Sequence, residues 1–293
     1  MYSYLVSDLV SKKAGLNMHT KSSLMKQLES LGIDPQGTLL VHSSYKSIGE
    51  VEGGAETVLD ALSEYMKEGL LVLPAHTWSY INALNPRFSV LESPVCVGIL
   101  PELFRKRPGV IRSWHPTHSV AALGADAADF TAGDQRWDTP CARGSVYGRL
   151  LDRKAEIMLL GVDLRRNTFI HGIEEWVDIP GRMTDGHEQL YTVTPEGEEI
   201  AVPSRRHSGL SWSQHFWKVE PVLEEGGALR RGRFGDAAVM ICGTVETTDI
   251  LSRMLGENPD LFSDNEPLHG EAVPESLPKT KPGVPQRTVR ERT

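Results

Sequence analysis

His171 and Glu174, three positions apart, carry the first chemistry that the sequence offers. Residues at i and i+3 of a helix share a face, so an imidazole and a carboxylate at that spacing reach each other. A histidine oriented in this way is suited to act as a general base. A helical histidine merely satisfied by a neighbouring glutamate has the same spacing, and the pair alone does not separate the two readings. The flanks place it: Ile157-Met158-Leu159-Leu160-Gly161-Val162 predicts a buried strand. Asn167 or Thr168 can then cap the following helix, their side chains accepting from free first-turn N–H groups.

Other strand ends are equally polar. Strands are predicted at Thr38 to His42, Leu70 to Pro74 and Val120 to Gly124, and the loops beside them offer Ser43, Ser44, Lys46, His76, Thr77, His115, His118 and Ser119. In open α/β sheets ligands bind outside the carboxyl ends of the strands, where such loops gather. After the first strand, Ser43, Ser44, Ser47 and Lys46 with Gly49, Gly53 and Gly54 resemble a phosphate cradle at a helix entry. The loop is neither a Walker loop nor G-x-G-x-x-G, and a turn leading into a helix explains it as well. His118 with His171 and Glu174 could give zinc two imidazoles and a carboxylate, but Pro116 disfavours a continuous helix there. No G-x-S-x-G elbow marks a serine hydrolase. Asp163, Glu175, Asp178, Asp185 and Glu188 fit either an anionic pocket for a polyamine-like substrate or a solvated face.

The elements that must position these groups alternate between strand and helix. Helices are predicted at Lys21 to Leu31, Ala55 to about Lys67, Leu100 to Arg107, before Leu151, and from Thr247 to Leu255, which points to a largely parallel α/β start. Residues 75–97, rich in Pro, Asn and aromatics, read as a loop over a site. Leu190 to Val193 and Glu199 to Val202 read as a hairpin, and Trp212 to Val219 as a helix stopped by Pro221. The expected organisation is one domain over 1–263 and a flexible Pro-rich tail over 264–293.

A chain of 293 residues with 40% hydrophobic and 24% charged residues fits a soluble globular protein. Its net charge of −8 argues against a nucleic-acid partner and leaves room for a cationic ligand. Cys96, Cys141 and Cys242 have no metal-type spacing, and no segment reads as a signal peptide or membrane span, so a cytoplasmic enzyme is expected.

Taken in order, Leu40-Val41-His42-Ser43-Ser44, Gly49, Gly53-Gly54, Leu73-Pro74, Arg112-Ser113, His115-Pro116, His118-Ser119, Pro140, Ser145, Gly148, Asn167-Thr168, His171, Glu174 and the segment Gly232 to Ala237 resemble the aminoglycoside 3-N-acetyltransferase family. The resemblance spans roughly residues 20 to 256. It implies an α/β fold with a mixed central β-sheet flanked by helices, here with a C-terminal β-hairpin/helix elaboration. It also implies acetyl-CoA as co-substrate, no metal, and a cationic acceptor: the 3-amino group of a 2-deoxystreptamine aminoglycoside, whose acetylation confers resistance. His171 matches the family's catalytic histidine and Glu174 the carboxylate that orients it. Ser43, Ser44, Lys46, Ser47 and Gly49 match the loop that holds the CoA pyrophosphate, and His118 and Ser119 fall to the CoA side. His76, Thr77, Glu175 and Asp185 fall to the acceptor. A monomer or homodimer without nucleic acid or membrane is expected. Tyr45-Lys46 departs from the family's commoner Leu-Arg type pair, and the loop from His76 to Val97 follows no pattern. The alternatives are a same-fold acetyltransferase for another amine, a zinc hydrolase, and a non-enzymatic CoA binder. An acidic acceptor pocket would favour aminoglycosides, and a basic one an anionic acceptor.

Overall fold

The structure, a computed structural model, describes residues 18–208 and 212–268. Helix α1 (Lys21–Ser30), capped by Thr20 accepting from the Ser23 N–H, precedes β1 (Thr38–Ser43). A 3₁₀ turn (Tyr45–Ile48) and α2 (Gly54–Tyr65) lead to β2 (Leu70–Pro74). Then come β3 (Arg87–Ser89), α3 (Ile99–Phe104), β4 (Ile111–Arg112) and β5 (Val120–Gly124). Helices α4 (Ala127–Thr131) and α5 (Val146–Asp152) precede β6 (Glu156–Leu160) and α6 (Thr168–Trp176), which bears the His–Glu pair. The chain continues through β7 (Glu188–Val193), β8 (Glu199–Ser204), a 3₁₀ stretch (Trp212–Val219) and α7 (Glu220–Glu225). It closes with β9 (Leu229–Phe234), β10 (Ala237–Gly243) and α8 (Thr244–Glu257).

Seven strands form the main sheet in the order β4-β5-β2-β1-β6-β10-β9. β1 lies between parallel neighbours, with Leu40 opposite Val72 of β2 and Ile157 of β6. β5 and β10 run antiparallel to β2 and β6, so the sheet is mixed, not largely parallel. β9 and β10 are joined by a tight turn at Gly235 (φ +60°), which enforces the antiparallel pairing.

The central strands read as continuous apolar runs because both of their faces are covered. Leu39, Val41, Met158 and Leu160 pack with α1 and α2 on one side, while Leu40, Ile157 and Leu159 pack with α5, α6 and α8 on the other. A one-residue slip would exchange the two sets, so register and core specify each other.

Several expectations change. Residues 75–97 are not a bare loop: β3 pairs in parallel with β7, which pairs with β8, and this three-stranded sheet covers buried Phe88, Ile81, Val90 and Leu190. Pro221 does not end a helix but sits in the first turn of α7, where its missing N–H costs nothing. At the start of the expected tail, Lys218 Nζ donates to Asp264 Oδ1 at 2.6 Å and Leu268 packs on the core. The rest of that expected tail, 269–293, lies outside the described residues. Among the described residues, no helix is long and apolar enough to cross a membrane.

Candidate active site

The parallel pairing of β1 with β6 brings their carboxyl ends together. Ser44 N–H donates to Leu160 O at 2.8 Å, extending the ladder past the strand. The Ser47 hydroxyl reaches Gly161 O at 3.3 Å. Gly161 has φ +65°, and a Cβ there would lie 2.5 Å from Ser47 Cβ, so only glycine admits this contact. Above these ends opens a cleft of about 600 Å³, walled by Ser43 at the end of β1, His76 after β2, His118 before β5 and the first turn of α6.

Helix α6 starts where its residues dictate, with the Asn167 side chain accepting from Phe169 N–H. His171 and Glu174 meet as their spacing requires, with Nδ1 2.8 Å from Oε2. His171 Nδ1–H therefore donates to the carboxylate, and Nε2 keeps a lone pair. The other carboxylate oxygen of Glu174 accepts from Arg182 Nε at 2.7 Å. Arg182 is fixed in turn by Pro259 O at 3.0 Å and by the Trp212 ring, 3.5 Å from its guanidinium carbon.

Burial opposes charge on Glu174, but the hydrogen bonds from His171 and Arg182 outweigh it and hold the carboxyl below its ordinary range. Burial lowers the pKa of His171, the charge of His207 lowers it further, and Glu174 partly offsets both. A neutral imidazole with a fixed tautomer at neutral pH is what a proton acceptor requires.

His207, which sequence reasoning missed, stacks on His171 and donates from Nε2 to Glu175 Oε1 at 2.7 Å. It follows β8, 36 residues beyond His171 (207 − 171), and no motif marks it. Arg182 was missed for a related reason: it lies past the helix end, where spacing rules carry no information.

The remaining candidates divide. Ser43 Oγ is buried on the cleft wall without a partner, as is His42 Nε2. His76 is on the wall with its Nε2 2.6 Å from the Tyr147 hydroxyl, and His118 is there with Nδ1 3.0 Å from Thr117 Oγ1. Ser119 is buried and does not reach the cleft, because its hydroxyl donates to Ala75 O at 2.8 Å and accepts from Arg112 Nε at 3.1 Å. Thr77 is likewise buried, bonded to Pro116 O. Ser44 Oγ accepts from Ser47 Oγ at 3.0 Å. Lys46 is exposed and off the wall. Gly49 (φ +86°) packs against Asp236, where a Cβ would lie 2.1 Å from Oδ2.

Glu175 faces Cys141 N–H (2.9 Å) and His207 rather than the cleft. Asp185 lines a second cavity of about 440 Å³ with Glu174, Glu175, Asp178, Arg143 and Arg205, and His171 is not on its wall. His118, His171 and Glu174 do not form a metal site: both oxygens of Glu174 are engaged. The group of metal-ligating types brought within 4.8 Å among the described residues is instead Cys141, Glu175 and His207.

Known proteins resemble this chain in sequence and in fold. The sequence profile of the family described as aminoglycoside 3-N-acetyltransferase matches residues 40–256. Aminoglycoside N(3)-acetyltransferase VII of Streptomyces paromomycinus is 34% identical over 199 residues, covering 62% of this chain and 68% of that protein. The SPbeta prophage-derived aminoglycoside N(3')-acetyltransferase-like protein YokD of Bacillus subtilis (strain 168) is 26% identical over 269 residues, covering 82% and 93%. Among solved structures, a mutant of aminoglycoside acetyltransferase AAC(3)-IVa in complex with a gentamicin superposes with a TM-score of 0.74 at 26% identity, covering 84% and 91%.

Proposed function

The chain belongs to the aminoglycoside 3-N-acetyltransferase family, and from that premise we propose that it transfers the acetyl group of acetyl-CoA to a primary amine, with His171 as general base. The observation that carries this reading is the chain of contacts from His171 Nδ1 through Glu174 to Arg182, which leaves Nε2 as the free lone pair.

A protonated amine has no lone pair with which to attack a thioester. His171 Nε2 takes the proton, and Glu174 stabilises the imidazolium through Nδ1–H. Arg182 keeps Glu174 ionised so that it can do so. Acetyl-CoA supplies the activated acyl group. Ser43 Oγ, unpartnered on the wall, and Arg165 and Arg166 on the wall after β6 suit its phosphates. Ser119 is committed elsewhere, so a donor for the developing oxyanion comes from another group. Asn167 Nδ2, buried and unpartnered on the wall one turn before His171, fits that role.

Aminoglycosides are the acceptors named for the relatives, and N(3) is the position their names give; the resemblance reads that position as the 3-amino group of 2-deoxystreptamine. Transfer to an amine of another class is the second reading, and one observation favours it: among the described residues, no carboxylate lines the cleft.

Free-thiol release from acetyl-CoA, followed against a panel of aminoglycosides and simple amines, tests the transfer. Amine-dependent release supports it. Tight CoA binding that protects against melting, with no release on any amine, would instead indicate a CoA binder without turnover.

A further inference from the structure

The geometry points to a second site beside the base: Cys141, Glu175 and His207 form a place for one soft divalent cation, zinc above all, and its occupation arrests the base. The arrest, unlike the binding, rests on the acetyl transfer proposed above.

Three segments deliver the ligands. Glu175 is on α6, one position after the carboxylate that orients His171. Cys141 lies before α5, and α6 holds its backbone at both ends. Cys141 N–H donates to Glu175 Oε1 at 2.9 Å, and Trp176 Nε1–H donates to Cys141 O at 2.8 Å. His207 follows β8 and is fixed there by a bridge to Met183. One ligand atom from each of the three lies within 4.8 Å of the other two. In a tetrahedral zinc site such atoms stand about 3.3–3.6 Å apart, so closure asks for side-chain movement on the order of 1 Å.

The chemistry of the set is selective. Thiolate and imidazole favour zinc-like ions over magnesium or calcium. The Glu175 side chain is only 6% exposed, and its Oε2 has no hydrogen-bond partner. Among the described residues its one ion-pair partner is His207, because Arg182 is spent on Glu174. A buried carboxylate oxygen left bare is costly, and a cation bound to it removes that cost. On binding, the Cys141 sulfur takes the metal and its proton leaves to solvent. The proton on Nε2 of neutral His207 moves to Nδ1, which frees Nε2 for the metal, and Glu175 supplies an oxygen. Thiolate and carboxylate then balance the two positive charges, as a buried site requires. His207 also lines the cleft, which gives the ion its way in.

The consequence falls on His171, whose ring stacks on that of His207 at 4.2 Å. A divalent cation held by His207 opposes a further positive charge on the base. His171 then takes up the amine proton less readily, and transfer slows.

The test uses the full untagged chain, stripped with a chelator and kept reduced. Cobalt(II) serves as a coloured stand-in for zinc, and zinc itself is titrated against a chromophoric chelator. One equivalent of cobalt should give a thiolate-to-metal charge-transfer band, which zinc should bleach. Cys141→Ala should abolish the band and weaken zinc binding on the order of 10–100-fold or more, since even residues behind a metal ligand carry that much. Cys242→Ala, at the other buried thiol, should change neither. Should Cys141→Ala fail to fold, His207→Gln carries the same expectation for zinc affinity. Absence of the band, or zinc affinity that survives the variant, overturns the site; the ion would then belong to the cleft imidazoles. Thioester consumption, followed by ultraviolet absorbance on any amine that the protein acetylates, should fall in step with zinc occupancy and return on chelation. It should resist zinc in Cys141→Ala. Full turnover with the site occupied overturns the arrest. Absence of turnover on every amine overturns the transfer and the arrest with it, while the cobalt band and the zinc affinity still decide the site.

Discussion

The imidazoles of His171 and His207 stack with their centroids 4.2 Å apart and their planes 24° from parallel. Burial lowers the pKa of His171, and the coulombic influence of His207 lowers it further. Replacing His207 with Gln removes that influence. The acid limb of kcat/KM, which reports the base in the free enzyme, should then move to higher pH. A pH–rate profile of both proteins checks this, and an unmoved limb would show that His207 has no influence on the base.

Arg182 and Glu174 form an ion pair that is almost fully enclosed, with side chains 3% and 1% exposed. Removing one partner of such a pair strands a buried charge, at a cost of about 3–5 kcal/mol. Arg182→Met should therefore lose stability on that scale in urea unfolding, and Glu174 should take up a proton more easily. Arg182→Lys keeps the charge and should recover part of both losses. Equal stability of wild type and Arg182→Met would remove Arg182 from the site's support.

Acid should unsettle the cleft early. Burial lowers the pKa of His42 to about 4, and burial followed by the neighbouring imidazoles lowers His76 and His118 well below 6.5. His115 is also lowered, chiefly by burial. For such a histidine the unfolded chain binds more protons than the folded one between the two pKa values, so stability falls as pH drops below about 6.5. The loss continues to about 4 for His42, at about 1.4 kcal/mol per pH unit for each histidine still neutral in the fold. Melting temperature against pH should decline already from pH 6 to 5. A flat curve over that interval would contradict the assignment.

Gly161→Ala should act on the cofactor loop. The positive φ and the 2.5 Å approach to Ser47 Cβ leave no space for a methyl, so the Ser43–Ser47 segment must shift. We expect KM for acetyl-CoA to rise severalfold with a smaller change in kcat. An unchanged KM would separate this segment from cofactor binding.

What the sequence made legible was local. The strand read over Ile157 to Val162, the cap at Asn167 or Thr168 and the i, i+3 pair needed only a few neighbouring residues each; the structure has the strand at Glu156–Leu160, the cap at Asn167 and the pair in contact. Partners that depend on the packing of distant segments were not legible: Arg182 and His207 reach α6 from segments beyond it. Ser119 looked available until Ala75 O and Arg112 consumed its hydroxyl. The acidic residues after β6 fitted an anionic pocket or a solvated face equally, because composition does not reveal which way each carboxylate turns; Glu175, Asp178 and Asp185 line the second cavity. β9 went unread because Arg230, Arg231 and Arg233 dilute its apolar signal, as suits an edge strand.

The central claim is that His171 removes the proton from the acceptor amine. Its most direct test is the turnover of His171→Ala, followed as thiol release from acetyl-CoA on any amine that the wild-type protein acetylates. CoA binding and the melting temperature serve as controls for folding. A fall in kcat on the order of 10²–10⁴ with CoA affinity unchanged is expected. A folded variant that turns over within a few-fold of wild type would contradict it.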